Sequence, residues 1–162
     1  MLKILKFPTK GQLYDFDCGV AVAWSMIKYS KINISYKSAL KASKVSPVDG
    51  LKPPLLIKFL KSFDLNAVCE SNKNIRFLKK QINANKPLIV IIQYRKGYKK
   101  SWLNSWEQGH YVVVIGYDKN RIIISDPSMG GSVKILTHKE FYNRWHDYLE
   151  NIDYVQTVIY IK

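Results

Sequence analysis

The chain has 162 residues, 47% hydrophobic and 23% charged, a mix that buries a core, excludes disorder and fits one domain over 1–162. Lysine and arginine number 26 against 12 acidic residues, a net charge of +14 that suits an acidic partner, nucleic acid or an anionic membrane. The lysines are dispersed from Lys3 to Lys162 without a long like-charge block, which reads as a solvated surface, and no nucleic-acid-binding module accompanies them.

Along the chain, a helical part over about 12–85 precedes a strand-rich part over about 87–162. The first helix is predicted over residues 17–29, with Asp17 as N-cap and small and apolar residues behind it. A second spans Ser35 to Lys44, with Ala39, Leu40 and Ala42 turned inward. Pro47 to Pro54 is a loop, and Pro54 suits the first turn of a third helix running to about Phe63. Its Leu55, Leu56, Phe59 and Leu60 recur at helical spacing. Leu65 to Cys69 reads as a short strand. Ile75 to Asn83 reads as a fourth helix, ended by Asn85 and Pro87.

The continuous apolar run Leu88 to Tyr94 is predicted to be a central strand, and His110 to Tyr117 a second one. A polar, aromatic loop joins them over 95–109. Asp118, Lys119 and Asn120 turn the chain into strand Arg121 to Ser125, which Asp126-Pro127 ends. Gly130-Gly131 turns it again into strand Ser132 to Leu136. Thr137 caps a helix carrying Phe141 and Trp145, with Glu140 in capping-box position. Tyr154 to Ile161 reads as the last strand. The fold class is α+β, helices first and then a mostly antiparallel sheet.

Two cysteines, Cys18 and Cys69, make no disulfide framework and read as thiols of a reducing compartment. Pro8 to Lys10 end the apolar start before a signal-peptide core forms, and Leu88 to Ile92 is too short to span a bilayer. A cytoplasmic monomer with no transmembrane segment is expected, although non-classical secretion leaves no trace in a sequence.

Cys18 opens a helix, where free N–H groups and the macrodipole favour a thiolate. Gly19 beside it leaves room for a substrate. Taken alone, Asp17-Cys18-Gly19 favours the reading of Cys18 as a small core hydrophobe. His110 opens a buried strand behind Gly109, at a sheet end facing a loop. Asp126 closes the next strand, within reach of His110 if the two strands form a hairpin, and could fix its tautomer. Gln12 could donate to a developing oxyanion together with a backbone N–H. Trp102 and Trp106 read either as a substrate-binding wall or as pins for their loop. Cys69 reads as a core thiol, and His138 and His146 as surface residues on a late helix. Gly130-Gly131 is a turn that could rim the cleft. Two cysteines without paired histidines make no zinc site.

The ordered set Gln-x5-Cys, Asp-Cys-Gly, Gly-His-Tyr-Val-Val-Val and Asp-Pro before glycines resembles the bacteriocin-processing peptidases that cut double-glycine leaders. That family belongs to the papain-like superfamily, and the resemblance runs from Gln12 to Trp145. It implies a papain-like fold, a Cys18–His110–Asp126 triad with Gln12 in the oxyanion hole, no cofactor and a polypeptide substrate. Asp17, Gly19, Gly109, Trp102 and Trp106 are the residues expected to line the substrate site. In well-known members this domain precedes a membrane exporter and an ATPase, whereas here the chain ends at Lys162, as a free-standing domain or a fragment. The 95–109 loop is long, aromatic and basic for the family. The same triad serves transpeptidation, deamidation or isopeptide cleavage, and a copy with a relic triad would be a binding module.

Overall fold

The computed structural model describes residues 1–162 apart from the side chain of Met129. In chain order the elements are β1 (Lys3–Ile4), α1 (Cys18–Tyr29), α2 (Tyr36–Ser43), α3 (Pro53–Lys61), β2 (Ala67–Glu70), α4 (Ile75–Asn83), β3 (Leu88–Gln93), β4 (Gly109–Tyr117), β5 (Arg121–Asp126), β6 (Ser132–Thr137), α5 (His138–Arg144), β7 (His146–Leu149), β8 (Ile152–Val155) and β9 (Val158–Ile161). The fold class is α+β, as the sequence predicts. One antiparallel sheet runs β2-β9-β3-β4-β5-β6, with β1 added at the far end of β4.

The strands carry unbroken apolar runs because both sheet faces are covered. Ile89, Ile91, Val113, Ile115 and Ile123 pack with Val20, Ala23, Met26 and Ile27 of α1 and with Leu56, Phe59 and Leu60 of α3. The alternate positions Leu88, Val90, Ile92, Val112, Val114, Ile122 and Ile124 pack with Leu78 and Ile82 of α4, Phe141 of α5 and Trp145. Burial of each such side chain stabilises by about 1.5–3 kcal/mol before chain entropy is counted.

Several expectations need correction. The predicted last strand divides: Tyr154 lies in β8, which pairs with β7 in a separate ribbon, and Val158–Ile161 joins the main sheet beside β3. The strand β7 begins at His146, expected on the late helix, and buries it to 4% exposure. His138 is half-buried at the start of α5, and neither histidine is a simple surface residue. Ala42 of α2 is exposed, and so is Leu55 of α3. Thr137 accepts the Glu140 N–H, but the Glu140 carboxylate turns to Arg144 at 3.1 Å, which leaves half a capping box.

Candidate active site

The cleft lies where the N-terminus of α1 meets the start of β4 and the end of β5. With Val113 opposite Ser125, Asp126 comes level with Val112, so His110 is its diagonal neighbour on the same face. That register delivers a 2.8 Å hydrogen bond from His110 Nε2 to Asp126 Oδ1. A carboxylate only accepts, so the bond puts a proton on Nε2 and leaves Nδ1 for a second partner. Burial pulls the imidazole's pKa down. The hydrogen bond to Asp126 and the neighbouring Cys18 and Asp126 charges outweigh burial and raise it to about 9.

Asp126 is 0% exposed. Its Oδ1 also accepts from the Ser128 N–H at 2.9 Å and the Ser128 hydroxyl at 2.6 Å, and its Oδ2 accepts from Lys134 Nζ at 2.7 Å. Burial alone would raise this carboxyl. The His110, Lys134 and Ser128 hydrogen bonds hold it well below the usual carboxylate range instead. The Tyr94 ring stands 5.1 Å from the imidazole, with the Lys134 ammonium 6.0 Å from the same ring. Lys134, Ser128 and Tyr94 carry no sequence signal, because their roles depend on cross-strand register.

Cys18 is the first residue of α1 and is partly exposed. It lines, together with His110, both lobes of the cleft: one of about 520 Å³ bordered by Gln12, Tyr14, Tyr94 and Ser128, the other of about 290 Å³ bordered by Leu51, Tyr111 and Asp147. Gln12 sits in the first lobe, and its Nε2 donates to the Tyr14 carbonyl at 2.7 Å. An amide nitrogen has two hydrogens, so a second donor remains for a ligand oxygen.

Gly130 and Gly131 explain how Gln12 is placed. Both have positive φ, and a Cβ on Gly131 would fall 2.8 Å from the Lys10 backbone. The segment before Gln12 therefore lies flat on this turn, and the Gln12 N–H donates to the Pro127 carbonyl at 3.1 Å. The glycine pair docks the oxyanion candidate onto the loop that follows Asp126.

Other predicted site residues sit differently. Asp17 is the N-cap residue of α1 but makes no side-chain cap. Its carboxylate is fully buried and turns back to accept the Leu13 and Tyr14 N–H groups and the Tyr36 hydroxyl at 2.9 Å. It shapes the loop ahead of the nucleophile and lines neither lobe. Gly19 is buried, and a Cβ there would meet Leu51 at 2.9 Å and the Tyr111 ring at 3.3 Å, so it serves helix packing and not substrate access. Trp102 and Trp106 line neither lobe. Arg144 lies 4.3 Å over the Trp102 ring, and Trp106 packs 4.2 Å from His146, so both pin the loop to α5 and β7. Gly109 does line both lobes. Cys69 lies half-buried on β2, and burial pushes its thiol up.

Among the described residues, no cluster of three or more His, Cys, Asp or Glu could hold a metal ion, and no helix is long and apolar enough to cross a membrane.

This architecture is similar to that of solved peptidase domains. A protein from Bacillus anthracis assigned as a C39-like peptidase shares 21% identity over 100% of this chain and 98% of its own, with a TM-score of 0.76. A double glycine motif protease from an AMS/PCAT transporter, solved with its leader peptide, shares 18% over 99% and 95%, with a TM-score of 0.69. The peptidase domain of Streptococcus ComA, a bi-functional ABC transporter of a quorum-sensing pathway, shares 24% over 97% and 95%, with a TM-score of 0.65. At these identities the likeness establishes the fold. No curated protein matches the sequence. The sequence pattern of the Peptidase_C39 like family matches residues 4–151, and the chain therefore belongs to that family of cysteine peptidase-like domains.

Proposed function

We propose that the protein is an active cysteine peptidase that hydrolyses a peptide bond in a polypeptide through Cys18, His110 and Asp126. The observation that carries this reading is the 2.8 Å His110–Asp126 bond, buried beside a partly exposed Cys18 at a helix start. Cys18 and His110 form a thiolate–imidazolium pair, and the thiolate attacks the scissile carbonyl. Gln12 and the Cys18 backbone N–H hold the oxyanion. His110 passes its proton to the leaving amine, and water then hydrolyses the thioester. Asp126 keeps the imidazole in the required tautomer throughout. The polypeptide substrate is supported by family membership and by the leader peptide bound to one structural neighbour. A glycine-rich leader or tail is the substrate which that relationship suggests.

Incubation with a proteome-derived peptide library, read by mass spectrometry, tests the proposal. Cleavage products that vanish in Cys18→Ala are the expected result. A product profile identical to that of Cys18→Ala would overturn it. A free amine added to the same assay separates hydrolysis from transfer by the mass of the new C-terminus.

A further inference from the structure

The smaller cleft lobe holds an acidic group that the triad does not use. Asp147, on β7, is 8% exposed and lines this lobe next to Gly109 and Leu149. Its Oδ1 accepts from Gln93 Nε2 at 3.0 Å. No cation reaches it among the described residues, in a chain with 26 lysines and arginines. The lysine of this lobe, Lys52, is engaged with Asp49 and Glu150. Burial accordingly pushes the Asp147 carboxyl up, the mark of a desolvated charge lacking its counter-ion.

Gly109 shows where this carboxylate points. A Cβ built on Gly109 would fall 2.0 Å from Asp147 Oδ2 and 2.4 Å from its Cγ. The carboxylate thus fills the space a side chain would take, one residue from His110. Gln93 Oε1 accepts the Gln108 N–H at 3.0 Å and Gln93 Nε2 also donates to the His146 carbonyl, so the group that orients Asp147 is itself held from two sides. Asp15 adds further negative charge to the same lobe, while Asp49 is paired with Lys52.

From this arrangement we propose that the smaller lobe is a specificity subsite for a basic side chain, with Asp147 receiving the guanidinium or ammonium of an arginine or lysine next to the scissile bond. The inference rests on the peptidase reading and departs from a preference for glycine alone. A carboxylate that accepts a bidentate guanidinium in a desolvated pocket discriminates by charge as well as shape.

Acyloxymethyl ketone peptides that alkylate Cys18 test it. Arginine is placed at the last or the next-to-last position before the ketone, beside citrulline counterparts that keep the shape without the charge, and beside a Gly-Gly probe. The rate of Cys18 modification is followed by intact mass. At one of the two positions the arginine probe should react about ten- to a hundred-fold faster than its citrulline counterpart, the range of one charged hydrogen bond. Asp147→Asn should abolish that advantage, bringing the arginine rate down to the citrulline rate measured in the same variant. Equal arginine and citrulline rates at both positions, a fastest Gly-Gly probe, or an arginine advantage that survives Asp147→Asn would overturn the subsite. Should the variant not fold, the wild-type comparison alone decides. If no ketone modifies Cys18 although it labels with iodoacetamide, the peptidase reading fails, and the subsite with it.

Discussion

The two ends of the cleft each bury a carboxylate beside His110 and treat it in opposite ways. Asp126, at the end of β5, meets His110, Ser128 and Lys134, and these partners hold its proton affinity far below the ordinary carboxylate value of 3.8. Asp147, on β7, meets the Gln93 amide, and burial raises its proton affinity. The signs for stability follow. Asp126 contributes stability that is present above 3.8 and lost as pH falls toward its depressed folded value. The raised His110 contributes stability that is complete below 6.5 and lost as pH rises through about 9. Asp147 runs the other way: its charged form is disfavoured in the fold, so it costs stability at neutral pH. One site is internally compensated and suits permanent machinery. The other is left uncompensated, as suits a group awaiting an outside cation.

Breaking the compensated side should give the largest effect. Asp126→Ala strands Lys134 and the imidazolium, and should destabilise by about 3 kcal/mol in a denaturant titration near pH 7, with loss of Cys18 reactivity. Gln12→Ala should leave the unfolding midpoint in place and lower kcat by about 10²–10³-fold at little-changed KM. Asp147→Asn keeps the Gln93 hydrogen bond and removes the uncompensated charge. It should stabilise by about 1 kcal/mol and raise Tm by about 2–4 °C at pH 7, with a smaller gain at pH 4. Lys134→Met should give the smallest shift. Removing a cation near His110 favours the imidazolium, so the alkaline limb of the pH–rate profile should move upward by less than about one pH unit. A downward move, or none, would separate Lys134 from the triad.

Local chemistry made part of this legible. The fourth helix spans Ile75–Asn83 as predicted, ended before Asn85 and Pro87, and the structure adds an Asn74 cap that accepts the Phe77 N–H. The apolar runs of β3, β4 and β5 were readable because a doubly covered sheet needs them. The order of Gln12, Cys18, His110 and Asp126 pointed to one cleft, and these four do converge. The failures share a cause. Asp17 looks like a cap locally, yet Tyr36, 19 residues on, helps draw its carboxylate away. β7 was unreadable because His146 and Asp147 are polar residues whose burial depends on Gln93, Ser105 and Trp106. Trp102 and Trp106 were ambiguous for the same reason, their partners Arg144 and His146 lying some 40 residues away.

The most direct test of the central claim is the rate of Cys18 alkylation by iodoacetamide between about pH 4 and 9, in a Cys69→Ser background, with and without His110→Ala. A working ion pair predicts rapid labelling well below pH 8 that His110→Ala abolishes. Slow labelling that follows an ordinary thiol near pH 8.5, unchanged by His110→Ala, would contradict it.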